Sequence, residues 1–314
     1  MAISGTGTQA DPYIVTTIGE VLEKVAEADA YVCLANDIYV KEDVDYREGN
    51  TVPIIINCAK FYSTNSGGNY KSIIGYRCIA SATYNFNIIT IGANTSVDHV
   101  GFLSFFNDRT SETVDSNYCD LYCDDSSTVT NCNFSMFIKS SFAKNATLLH
   151  GKWESCSFYF DYNGSLTSSG NVENLINPYT NTSDYTVQQG MNKCFIYINN
   201  LVRSNWSIEN TRLFTGMWNS TIYVKNFDVN HVGMSGYWVN SYMLDQTCRN
   251  SILDFHMTYH EAVAFSDWQG FAVTGYNCLY YCNRTRQDTI TNGSIRATEA
   301  QLRDQQFLLD NGFV

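Results

Sequence analysis

A short phrase returns six times along this chain: a small polar residue, usually Asn, Ser or Cys, followed by alternating apolar or aromatic positions. It reads Asn131-Cys132-Asn133-Phe134-Ser135-Met136-Phe137, Ser155-Cys156-Ser157-Phe158-Tyr159-Phe160 and Asn192-Lys193-Cys194-Phe195-Ile196-Tyr197-Ile198. It continues as Asn219-Ser220-Thr221-Ile222-Tyr223-Val224, Asn250-Ser251-Ile252-Leu253-Asp254-Phe255 and Asn277-Cys278-Leu279-Tyr280-Tyr281. The first positions are separated by steps of 24, 37, 27, 31 and 27 residues, a loose period of the kind that marks stacked arrays. Alternation with period two sends one set of side chains inward, and a polar residue at a fixed place fits an internal Asn or Ser ladder at a corner. A β-sandwich or β-barrel would also show short alternating strands. The irregular steps favour a solenoid, because one pass can lengthen on one side without shifting its neighbours, whereas hairpin registers absorb insertions poorly. The expected fold is therefore all-β: a right-handed single-stranded parallel β-helix.

Both ends of the chain depart from the repeat. After the extended piece Asp11-Pro12-Tyr13-Ile14-Val15, the run Thr16-Thr17-Ile18-Gly19-Glu20 offers an N-cap with Glu three residues on. Val21, Leu22, Val25 and Ala26 then recur at helical spacing, before Tyr31 to Ile38 returns to strand. Near the other end, Thr298 to Leu309 reads as one helix with a Thr cap, stopped by Asn311-Gly312 ahead of Phe313. A solenoid needs covered ends, because an open last pass exposes unpaired backbone and apolar surface. The sequence thus divides into an N-terminal cap over 1–38, a β-helix over 39–296 and a C-terminal capping helix over 297–314. Within the body, Pro53–Cys58, Lys71–Gly75, Asn87–Gly92 and Val97–Phe102 read as buried strands, Tyr62–Asn69 as a loop, and Asp161–Gln189 as an insertion that accounts for the longest step.

Composition limits what such a chain can do. With 22 Tyr, 18 Phe and 20 Gly against 3 Pro and 16% charged residues, the sequence is rich in strand and turn formers and poor in solvated helical faces. A net charge of -12 disfavours nucleic acid and anionic lipid as partners, and no stretch approaches the ~20 apolar residues of a bilayer span. Met1 to Thr8 lacks the basic and apolar regions of a secretory signal, so folding in a cytosol is expected. In that setting the 11 cysteines read as free core or ladder residues, four of them inside the phrase itself. Cys119/Cys123 and Cys278/Cys282 have CxxxC spacing without a second zinc-type pair, so neither a metal nor another cofactor is expected.

The opening, Gly5-Thr6-Gly7-Thr8-Gln9-Ala10-Asp11-Pro12-Tyr13-Ile14-Val15 with its helix and Tyr31 to Ile38, resembles the opening of pectin-lyase-like β-helical proteins of bacteria and their phages. The ending, Ala297 to Asp304 and Leu308 to Phe313, is similar to closing helices of the same group, so the resemblance covers about fifty residues. It implies a bacteriophage virion protein assembled in the host cytoplasm: a homotrimeric fibre, spike or capsid decoration that contacts other virion proteins and the host surface glycan. The sequence shows no obvious virion-anchor domain before the cap, so a departure from tailspikes is expected. The alternative is a polysaccharide depolymerase of the same fold.

Candidate chemistry is sparse. Depolymerase activity would need carboxylates at hydrolytic or lyase spacing, and Asp245, Asp254, Glu261 and Asp267 are the candidates. Solvated turns would explain the same residues. In His256-Met257-Thr258-Tyr259-His260-Glu261 the Glu follows the second His, unlike HExxH, and on a strand His256 and His260 stand about 13 Å apart, too far to share one ion. Trp206, Trp218, Trp238, Tyr242 and Trp268 are candidate glycan platforms, with packing in the core or between protomers as the competing role.

Overall fold

Phe102, Phe134 and Phe158, well separated in sequence, lie directly over one another, with ring centroids 5.1 Å apart and planes within 7° of parallel. Trp153 meets both Phe134 and Phe158 edge-on at 5.3 Å. Such a column arises when the inward residues of successive strands fall in register. A computed structural model describes residues 3–40, 53–64, 70–80, 87–109, 119–140, 147–162, 190–204, 212–230, 242–244, 246–259, 272–283 and 289–313. Among the described residues strand predominates and helix is confined to three short segments, so the fold is all-β.

The strands form long parallel sheets, and the chain visits them in a fixed order. Tyr31–Leu34, Lys60–Ser63, Ser96–Asp98, Thr128–Thr130, Trp153–Glu154, Met191–Asn192 and Met217–Trp218 lie side by side in a first sheet. The strand that follows each along the chain joins a second sheet, among them Val100–Arg109, Asn133–Ser140, Ser157–Tyr162, Phe195–Ile198 and Thr221–Asn230; Ile252–Tyr259 and Leu279–Cys282 extend that sheet, while single bridges of Trp218 with Arg249 and of Arg249 with Tyr276 continue the first. A third wall comes in two parts, one containing Ile89–Ile91 and Cys119–Cys123, the other Arg212–Phe214 and Tyr242–Leu244. Each strand pairs with its counterpart from the neighbouring pass, as in Phe134↔Phe158 and Phe158↔Ile196. Long intervals recur at one step of the cycle, between the second sheet and the third: Arg109 to Cys119, Asn230 to Tyr242 and Tyr259 to Ala272.

The turn from the first sheet to the second explains the polar residue that opens the phrase. His99, Asn131, Ser155, Lys193, Asn219, Asn250 and Asn277 all have φ between 47° and 57°. This left-handed conformation costs most L-residues ~1–2 kcal/mol, and Asn bears it best after Gly. At the third copy Lys193, rather than Asn192, turns the corner. His99 likewise divides the strand expected over Val97–Phe102 into Ser96–Asp98 and the first part of Val100–Arg109.

The polar ladder expected inside the stack is divided between two surfaces. Asn219, Asn250 and Asn277 are exposed, and their amides link passes from outside: Asn219 Nδ2 donates to Asn192 Oδ1 at 3.0 Å and Asn250 Nδ2 to Asn219 Oδ1 at 3.5 Å. The following residue of each phrase points inward, where Cys132, Cys156, Cys194, Ser220, Ser251 and Cys278 are buried. There Ser220 Oγ accepts from the Cys194 amide at 3.0 Å and Ser251 Oγ from the Ser220 amide at 3.3 Å. Cysteine keeps the same bond at greater length, Cys132 Sγ accepting from the Val100 amide at 3.5 Å.

Helix α1, Ile18–Lys24, begins at Thr17, whose hydroxyl accepts from the Glu20 amide while Glu20 Oε2 accepts from the Thr17 amide at 3.1 Å. Val21 and Val25 are fully buried in the common core, and the Val25 carbonyl accepts from the amides of Asn57 and Cys58 on the next pass. The helix thus covers apolar surface that the first pass would otherwise expose. At the other end the single helix expected over Thr298–Leu309 is two: α2, Glu299–Leu302, and α3, Gln305–Asp310. Asp304 divides them, its carboxylate accepting from the Gln306 amide at 2.9 Å as a new N-cap.

Candidate functional site on the outer face of the second sheet

Inward positions of the second sheet are mostly Phe, Ile, Leu, Met and Val, so its outward positions carry most of the chemistry this wall offers. They form columns two residues apart. One column reads Ser135, Tyr159, Tyr197, Tyr223, Asp254 and Tyr281 in register across six strands. Tyr159 and Tyr197 stack at 5.2 Å with planes 6° apart, and Tyr197 lies 5.2 Å from Tyr223. At the edge of the same face, Phe106 and Phe137 stack at 5.1 Å. A polar column runs alongside: Asp161 accepts from Asn199 and Asn200, and Asn226 donates to Asn200 and accepts from Thr258.

Asp254 interrupts the tyrosine column. Two residues further along the same strand His256 points from the same face, and its Nε2 lies 2.8 Å from Asp254 Oδ1. Both atoms are buried, and their contact falls outside good hydrogen-bond alignment. The His256 ring stands between Tyr223 at 5.5 Å and Tyr281 at 5.4 Å, edge-on to each. Burial pushes the Asp254 carboxyl above its ordinary range, against the opposing effects of His256 and Arg303. Burial also raises Tyr223, with Asp254 adding to it, and raises Tyr281, with Glu299 and Asp254 adding to it. Glu299 and Arg303 of the α2 region therefore stand within electrostatic range of this outer face. The chemistry available is that of a carboxyl whose proton burial holds more tightly than usual, beside an imidazole and with phenols on both sides.

The residues named from the sequence are distributed unevenly. Asp254 lies in this cluster. Asp245, Glu261, Asp267, Trp206, Trp238 and Trp268 lie outside the described residues, and of Tyr242 only the backbone, in Tyr242–Leu244, is described. Trp218 is 5% exposed and packs over Gly190, so its ring offers no open platform. It borders a groove of about 310 Å³ on the outer face of the first sheet, with Thr130, Lys152, Glu154 and Asn192 on the polar side. By sequence His256 resembles only a zinc ligand; its pairing with Asp254 rests on i, i+2 spacing, which the sequence displays, and on flanking strands, which it does not.

Other ionisable groups serve the frame. Asp98 is held below the usual carboxylate range: burial works to raise it, but hydrogen bonds from Thr130, His99 and Asn131 outweigh that effect. His150, buried and stacked on Tyr122 at 4.9 Å, is pushed down by burial. Among the described residues no three His, Cys, Asp or Glu side chains converge as a metal site, and no helix is long and apolar enough to cross a membrane. No family model, curated protein or solved structure matches the chain.

Proposed function

We propose that this chain is a structural protein of a bacteriophage virion: a right-handed parallel β-helix, pectin-lyase-like in build, that assembles as a homotrimer into a fibre, spike or capsid decoration and contacts the host surface. The observation that carries most of this reading is the stack of parallel strands that the chain visits repeatedly in the same sheet order, with α1 covering the first pass. Right-handedness follows from the strong bias of parallel crossovers. A rigid rod whose passes contact only their neighbours suits a mechanical part of a particle. The first test is immunogold labelling together with peptide mass spectrometry of purified phage particles encoding the chain. Label on the particles is expected, and particles devoid of it would sink the virion reading.

A second reading, a polysaccharide depolymerase of the same fold, draws on the Asp254–His256 pair between two tyrosines. Release of reducing ends or unsaturated sugars from host capsule, abolished in Asp254→Asn, would establish it.

A further inference from the structure

The ring-bearing outer face of the second sheet has three properties that together point to its occupant. Its rings occupy one another's faces: Phe106 and Phe137 lie within 17° of parallel and Tyr159 and Tyr197 within 6°. What they turn outward is ring edge and phenolic hydroxyl, not the open face on which a sugar stacks. Second, the face includes large apolar side chains left in solvent, Phe106 at 42% and Phe195 at 45% exposure. Third, the described side chains on this face between Leu103 and Tyr223 are poor in charge, on a chain whose net charge is -12. Between Leu103 and Tyr223 the outward positions are mostly Ser, Thr, Asn, Tyr and Phe. Among the described side chains there, Asp161 is the carboxylate, and both of its oxygens accept from Asn amides. Copies of so acidic a chain repel over most of their surface and approach at least cost where carboxylates are scarce.

We infer that this face is the homotypic interface of the protein, with Phe106, Phe137, Tyr159, Phe195 and Tyr197 of one copy packing against another copy. The inference rests on the homotrimer reading above and adds which face the copies share. The four strands that carry these residues, at about 4.8 Å spacing, give the patch a length of ~14 Å, suited to the apolar centre of an interface, where binding energy concentrates.

Sedimentation velocity and light scattering on the full chain over a dilution series test it, using Phe195→Glu, Phe106→Glu and, as a control on the first sheet, the exposed Thr128→Glu. The wild type and Thr128→Glu should remain oligomeric. Each Phe variant should dissociate at a concentration at least ~30-fold higher than the wild type. Circular dichroism and melting of the dissociated variants show that the monomer is folded. A wild type that is monomeric throughout the series would overturn the homotrimer reading itself. An oligomer indifferent to both Phe substitutions would overturn only the choice of face, and loss of host-glycan adsorption in those variants would reassign the face to glycan.

Discussion

Asp254 and His256 stand two residues apart on one strand and bring Oδ1 and Nε2 to 2.8 Å on the outer face of the sheet, between Tyr223 and Tyr281. The carboxyl takes a place that tyrosine holds on the strands to either side, and a local pattern broken without gain in packing is where function tends to reside.

Its elevated pKa gives a pH-dependent signature. The folded chain holds the Asp254 proton more tightly than the unfolded chain does, so the stability this residue contributes is present in acid and is lost as pH rises through its folded pKa. Asp254→Asn, which cannot ionise, should therefore melt above the wild type at pH 8 and level with it near pH 3.5. Equal melting temperatures at both pH values would show that burial does not govern this carboxyl.

The left-handed corners make a prediction of opposite signs. Lys193 has φ 53°, where most other passes carry Asn, so Lys193→Asn should stabilise the protein by roughly 0.5–1 kcal/mol. Asn219→Ala meets the same backbone penalty without relief and also loses the 3.0 Å bond to Asn192, for a cost of about 1–2 kcal/mol. Denaturant midpoints of the two variants should lie on either side of the wild type.

Phe134 touches Phe102, Phe158 and Trp153 in the inner column, so Phe134→Ala opens a cavity that neighbouring passes, fixed by their own ladders, cannot close. A loss of about 3–5 kcal/mol is expected, with Phe134→Leu retaining most of it. Thermal unfolding measures both, and a small loss in the Ala variant would mean that the column repacks.

Cys132, Cys156 and Cys194 lie buried in one inward row. Burial raises the thiols of Cys132 and Cys194, which disfavours the reactive thiolate. Iodoacetamide followed by peptide mapping should leave these three unmodified in the native protein and label them after denaturation. Cys156→Ser should cost less than ~1.5 kcal/mol, because Ser220 and Ser251 already occupy equivalent places.

Much of the architecture was legible because its signals are local. The alternation from Asn133 to Phe137 and the polar residue before it follow from one strand and one corner, and Thr17 with Glu20 announces α1 within four residues. Less visible were positions where an unremarkable residue does a special task. His99 and Lys193 turn corners although neither is a turn former, and Asp304 reads as a helix-surface carboxylate until its side chain is seen to accept from Gln306. The candidate site was the least legible part. Asp254 and His256 are close in sequence, but Tyr223 and Tyr281 join them from other passes, and only the strand register reveals that meeting.

The parallel pairing also fixes an order of events. Phe134 pairs with a residue made before it, on the strand of Phe102, and waits only for the strand of Phe158 to follow. No sheet requires the far end of the chain before it can begin, so synthesis from the ribosome delivers each strand onto a template already laid down, starting from the surface that α1 seals. The chain can thus assemble at the pace of translation, with the newest strand as its one growing edge.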